Sequence, residues 1–159
     1  MTTQPDIAPL SYLIGRWSGD GIGIYPTIDD FAYSEEVTFV APPGKPFLKY
    51  TQMTWRAGDH PDAGTALHTE SGFFRVGGAG RAEATMAQPT GIVEVYEGAL
   101  DGQSLRLETT TVARTSTAKE VVSVERRIDV EGDALTYEMW MGAVGQPHQL
   151  HLKALLHRE

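Results

Sequence analysis

From Arg16 to His157 the chain reads as a succession of short runs, mostly alternating apolar and polar residues, each cut off by glycine, proline or an acidic turn. Alternation with period two marks strands that bury one face and wet the other. In the clearest run, Phe31, Tyr33, Glu35, Val37 and Phe39 share one face and Ala32, Ser34, Glu36, Thr38 and Val40 the other. Pro42-Pro43-Gly44 ends it, because proline has no amide hydrogen for a ladder and glycine frees the backbone. The same reasoning gives strands over Arg16–Tyr25, Phe31–Val40, Phe47–Trp55, Leu67–Val76, Arg81–Ala87, Ile92–Leu100, Ser104–Arg114, Lys119–Val130, Ala134–Met141 and His148–His157. Only Ala8–Ile14 reads as a short helix. An open antiparallel sheet of this size would leave two unpaired edges, which closure removes. A barrel of eight or more strands can enclose a small ligand. The expected fold is therefore all-β: an antiparallel up-and-down barrel of about ten strands, with 1–159 as one domain.

Composition narrows the function classes. The chain has 159 residues, enough for one well-buried domain, and no cysteine, so thiolate metal sites and cysteine nucleophiles are excluded. Twenty-one acidic against thirteen basic residues give a net charge of −8. Such a surface repels phosphate backbones and anionic membranes, so neither is an expected partner. No run approaches the roughly 18 apolar residues of a membrane span, and the N-terminus lacks the basic and apolar regions of a secretory signal. A cytoplasmic location is expected.

Gly15-Arg16-Trp17-Ser18-Gly19-Asp20-Gly21-Ile22-Gly23 is a G-x-W-x-G-x-G-x-G run, in which a tryptophan can plug a barrel end and glycines let a strand bend. It continues into Tyr25-Pro26-Thr27-Ile28, Phe31-x-Tyr33-x-Glu35-Glu36 and Gly44-Lys45-Pro46-Phe47-Leu48. Leu67-His68-x-Glu70-x-Gly72-Phe73-x-Arg75, Thr117-Ala118-Lys119-Glu120, Met141–Pro147 and Leu150-His151-Leu152 follow in order. This set resembles the nitrobindin family over about Leu10 to Arg158. The resemblance implies a ten-stranded barrel similar to lipocalins and fatty-acid-binding proteins, haem b as cofactor, and a homodimer. It also implies a peroxynitrite isomerase in which one histidine of the last strand holds ferric iron, with the sixth position open to peroxynitrite or nitric oxide. The matching position here is His151, the expected metal ligand and catalytic residue. Met141 is expected in the pocket wall, with Leu67 as a weaker candidate. Thr27 and Lys119 are candidates for contact with haem or its propionates.

The residues alone pull against this assignment at one point. Simple alternation puts Leu150, Leu152, Ala154 and Leu156 on one face of the last strand and His151 on the other, which would expose the histidine if the leucines are buried. A mixed cavity mouth, an outer element over the leucines, or a bulge near Pro147 would each reconcile the two. Of the other histidines, His60, His148 and His157 read as solvated, and His68 as a polar partner in an internal network. No distal histidine is recognisable.

Further residues read as structural. Trp17 is the expected plug, with Arg126 or Arg127 stacked over it. Glu35, Glu36, Glu70 and Arg75 are expected in ion pairs, since neighbouring Glu35 and Glu36 face opposite ways and cannot converge on a substrate. The loop between Trp55 and Leu67, carrying His60, reads as a surface insertion. The competing functional reading is a non-catalytic carrier of a fatty acid or similar hydrophobic ligand, with Arg75 or Arg127 receiving a carboxylate.

Overall fold

The computed structural model describes residues 6–159. Ten antiparallel strands follow one another: β1 (Gly15–Tyr25), β2 (Ile28–Val40), β3 (Leu48–Ala57), β4 (Ala66–Gly78), β5 (Arg81–Gln88), β6 (Ile92–Asp101), β7 (Ser104–Arg114), β8 (Val121–Glu131), β9 (Ala134–Ala143) and β10 (Gln149–Arg158). Each pairs with its neighbours in sequence, and β10 returns to β1, so the sheet closes into a barrel. Among the described residues no strand edge is left to template a foreign strand. The expected helix is a 3-10 segment, Ala8–Leu13, with Pro9 in its first turn. Six residues are too few for α-helical nucleation to be favourable, and the tighter winding suits a short connector. Strand bounds shift by a few residues; β8, for example, begins at Val121 and leaves Lys119 in the preceding loop.

Alternation sorts the interior as the sequence predicts. In β2, Tyr33, Glu35, Val37 and Phe39 are buried, and in β9 Leu135, Tyr137, Met139 and Met141 face inward. One end of the barrel is solid. Leu10, Leu13 and Trp17 are completely buried there. The indole Nε1–H of Trp17 donates to the Leu13 carbonyl at 2.9 Å, pinning the 3-10 segment across the end.

The cation over Trp17 corrects the expectation. It is Arg158, whose guanidinium lies 4.1 Å from the ring centroid and which also donates to the carbonyls of Tyr12 and Ile14. Arg158 is the cross-strand partner of Trp17 in the β1–β10 register, so closure itself delivers it. Arg126 instead points into the barrel, and Arg127 lies on the outer face, 4.5 Å over the ring of Trp140.

Removing the plug should be costly. Trp17→Ala is expected to lower unfolding free energy by about 3–5 kcal/mol, read as a shifted urea midpoint. An unchanged midpoint would contradict the role given to the closed end.

Candidate functional site

The other end of the barrel opens into a cavity of about 860 Å³. Among its wall residues are Ile28, Phe31, Leu67, Val121, Met139, Met141 and Leu152, with Arg56, His60 and Lys119 also contributing. That volume lies within the range of small-molecule and cofactor pockets. Met141 and Leu67 stand where they were expected, and Lys119 reaches the cavity from its loop. Thr27 does not form part of the wall; it is exposed in the β1–β2 turn, beside Ile28, which does. The 57–66 hairpin is more than a surface insertion, because its His60 contributes to the cavity. His60 Nδ1 accepts the Asp62 amide at 3.0 Å.

His151 faces the cavity because of a bulge at its own position. Leu150 pairs with Trp140 while Leu152 pairs with Met139, so His151 is the extra residue on β10. In a bulge two residues oppose one, and the inside–outside alternation slips by one there. His151 and Leu152 consequently both line the cavity, and Ala154 and Leu156 continue into the core. The conflict in the sequence is thus resolved within β10 by a bulge, one of the three alternatives, four residues beyond Pro147.

The chemistry of this imidazole is fixed by its partner. Nδ1 lies 2.9 Å from the Ile24 carbonyl oxygen, and a carbonyl only accepts, so Nδ1 carries the hydrogen. The Nε2 lone pair is then left for the cavity. Burial lowers the His151 pKa, the Ile24 hydrogen bond opposing and the nearby charge of His68 adding to that effect. The ring is therefore neutral at neutral pH. A neutral imidazole whose other nitrogen donates to a backbone carbonyl is the usual arrangement of a metal-ligating histidine. Among the described residues no three histidine, aspartate or glutamate side chains converge on a metal position. A single imidazole suits a metal that brings its other ligands with it, as haem iron does.

Below this histidine the cavity floor is charged and buried. Arg126 donates to both carboxylate oxygens of Glu70, at 2.6 and 3.0 Å, and its Nη2 is 3.9 Å from Glu94. All four groups Glu35, Glu70, Glu94 and Arg126 are at most 8% exposed. His68 joins the network through Glu70, 3.8 Å away, as expected, and also lines the cavity. Burial alone would raise Glu70, but the Arg126 guanidinium and the hydrogen bonds it receives hold it well below the usual carboxylate range. Burial raises Glu94, and it pushes Glu35 up to about 7 against the Tyr137 and Gln52 hydrogen bonds that favour its charge. Glu36 faces outward and pairs with Arg16, and Arg75 pairs with Glu83 on the surface. His148 lies near Ser123 and Glu125, and His157 is exposed.

Sequence reasoning missed Glu94 and the centrality of Arg126. The signal was present: Glu94 shares the inward parity of Ile92 and Tyr96, and Arg126 that of Val124 and Ile128. The structure also removes the arginines assigned to a fatty-acid carboxylate. Arg75 and Arg127 lie outside the barrel, and the internal Arg126 is already held in a bidentate pair.

Fold and site together define a closed β-barrel with a cavity at its open end, into which His151 presents a neutral imidazole. The chain matches the family described as the THAP4-like, heme-binding beta-barrel domain over residues 6–158, and it belongs to that family. It is 48% identical to a protein named peroxynitrite isomerase 2 from Mycobacterium avium, covering 98% of this chain and 96% of that one. It is 46% identical to peroxynitrite isomerase 1 from Mycobacterium tuberculosis, with the same coverage. The crystal structure of Rv2717c from M. tuberculosis superposes with a TM-score of 0.86 at 43% identity, covering 96% of each chain. A phycobiliprotein lyase from Guillardia theta shares the fold alone, with a TM-score of 0.64 at 9% identity.

The charge of Glu35 has a measurable consequence. Its folded pKa, about 7, lies above the ordinary 4.5, so the native state binds the extra proton and the contribution of Glu35 to stability falls as pH rises from about 4.5 through 7. Glu35→Gln removes the penalty. The variant is expected to gain on wild type between pH 5 and pH 8, by an amount on the order of 2–3 kcal/mol in chemical denaturation. A stability difference that is flat with pH would contradict a buried, uncompensated carboxylate.

Proposed function

We propose that this protein binds ferric haem b through Nε2 of His151 and isomerises peroxynitrite to nitrate. The observation that carries this reading is the bulged histidine, turned into the cavity and fixed by the Ile24 carbonyl. The names of its relatives supply the substrate. Ferric haem, when bound, would supply Lewis-acid chemistry toward peroxynitrite. The chain's own part is to hold, orient and enclose. His151 offers a neutral lone pair, Met141 and Met139 wall the pocket, and Lys119 provides a cation for a propionate. Thr27 stands in the β1–β2 turn, a rim contact in this reading. With His151 as the protein's one ligand to it, bound haem would leave the cavity open to peroxynitrite, or to nitric oxide as a competitor.

The finer features fit the same reading. The whole chain, 1–159, serves as one domain of lipocalin or fatty-acid-binding-protein type in the cytoplasm. No helix among the described residues is long and apolar enough to cross a membrane. A homodimer is supported by an outer apolar patch in which Phe73, Thr85 and Val95 pair side by side across β4, β5 and β6, flanked by Ala87 and Val93 and bordered by Lys49 and the Arg75–Glu83 pair. Phe73, Val93 and Val95 are exposed there. A second copy of the chain is the occupant assigned to that patch.

Ferric haem added to purified protein should give a stoichiometric high-spin spectrum, lost in His151→Ala and retained in His60→Ala, His148→Ala and His157→Ala. In stopped flow, peroxynitrite should decay faster with holoprotein than with apoprotein or His151→Ala, with nitrate as the product. Equal decay in holo and apo protein would defeat the catalytic claim, and haem uptake by His151→Ala would defeat the ligand assignment.

A further inference from the structure

The tyrosines of the cavity floor form a chain that haem ligation does not use. Tyr33 and Tyr137 hydroxyls are 2.6 Å apart, and the Tyr137 hydroxyl donates to Glu35 Oε2 at 2.9 Å. Because Tyr137 spends its hydrogen on Glu35, the hydrogen shared with Tyr33 comes from Tyr33. The order is Tyr33 O–H to Tyr137 O–H to carboxylate. Both tyrosines line the cavity, and Glu35 lies behind them at 2% exposure.

We propose that Tyr33, Tyr137 and Glu35 are a proton-coupled electron relay, through which the cavity floor gives one electron to a radical oxidant of the nitrogen dioxide class. Nitrogen dioxide is a homolysis product of peroxynitrous acid, so only the source of the oxidant rests on the peroxynitrite reading. In the step, Tyr33 loses an electron and nitrogen dioxide becomes nitrite. The Tyr33 O–H bond breaks and its proton passes to the Tyr137 oxygen, while the Tyr137 proton passes to Glu35. The products are a neutral Tyr33 phenoxyl radical, an intact Tyr137 phenol and a protonated Glu35. Charge and atoms balance.

Three features support the assignment. First, burial keeps the Tyr33 hydroxyl protonated, with the Glu35 charge adding to that effect. A buried radical cation would be an unpaired charge in a poorly hydrated site, so the electron leaves only if the proton has somewhere to go. Second, Glu35 is the carboxylate able to receive it. Its Oε1 has no hydrogen-bond partner among the described residues. The two other tyrosine–carboxylate pairs of the floor are already committed. Glu70, the partner of Tyr50 at 2.8 Å, is held ionised by Arg126 in two bonds. Glu94, the partner of Tyr96, accepts Gln88 on its other oxygen, and Arg126 Nε donates to the Tyr96 hydroxyl. Third, the Tyr33 ring is seated by the glycine run of β1. A Cβ at Gly21 would lie 2.3 Å from Tyr33 Cζ and 2.5 Å from its hydroxyl oxygen, so only glycine leaves the phenol its place.

The test exposes haem-loaded protein to nitrogen dioxide generated from nitrite by pulse radiolysis, with freeze-quench electron paramagnetic resonance as the readout. Wild type should yield a tyrosyl signal. Tyr33→Phe should lose most of it, Glu35→Gln should lose it while keeping the native far-ultraviolet dichroism, and Tyr50→Phe should retain it. An undiminished signal in Tyr33→Phe or Glu35→Gln would overturn the relay. Should Tyr33→Phe fail to fold, the nearly isosteric Glu35→Gln decides alone. Because the oxidant is made without peroxynitrite, a negative result here leaves the isomerase reading standing, and a failure of isomerisation leaves the relay testable.

Discussion

The pairing of the first strand with the last is the constraint on which the rest of this molecule depends. Sheet closure through β1 and β10 abolishes free edges, and it also assembles both functional ends of the barrel. At the closed end it sets Arg158 opposite Trp17, joining a cation, an indole and the carbonyls of the 3-10 segment. At the open end it brings the Ile24 carbonyl within 2.9 Å of His151, although the two are 127 residues apart in the chain. The same strand pair that makes the container therefore sets the tautomer of the imidazole inside it. In β10 the bulge lets one strand supply both a cavity-facing imidazole and a buried apolar face.

Between the two ends lies an interior that is unusual for its charge. One guanidinium serves a floor containing three carboxylates, Glu35, Glu70 and Glu94. A buried ion pair is weak evidence of stability, because desolvation offsets much of its attraction. The arrangement is better read as positional. Arg126 fixes Glu70 in two bonds, Glu70 orders Tyr50, and Glu94 and Arg126 order Tyr96, so the cavity floor is held by polar geometry where an apolar core would have filled the space. The groups least neutralised, Glu35 and the tyrosines that lead to it, are those left with capacity to move a proton.

Most of the fold was legible because turn residues and alternation are local signals. Phe31 to Val40 declared its strand and the two faces that the barrel sorts inward and outward, and Ala134 to Met141 declared its strand with Met141 in the pocket wall. The short N-terminal segment was legible as helical but not as 3-10, a choice made by its length and its packing over the closed end. The site was less open to local reading. His151 came from the family resemblance, while the parity of β10 argued against it until the bulge was located, and a bulge is a property of two paired strands. The stacking of Arg158 on Trp17 likewise depends on the β1–β10 register, which no window of sequence contains. Thr27 belonged to the right motif, yet its turn carries it off the cavity wall while Ile28 points in.

The central claim is that a single nitrogen, Nε2 of His151, is the protein's bond to the haem iron. Resonance Raman spectroscopy of the ferrous holoprotein tests it most directly. An iron–imidazole stretching band should appear, shift on labelling histidine with nitrogen-15, vanish in His151→Gly and return when free imidazole is added to that variant. A band that persists unshifted in His151→Gly without added imidazole would place the iron on another residue and contradict the account.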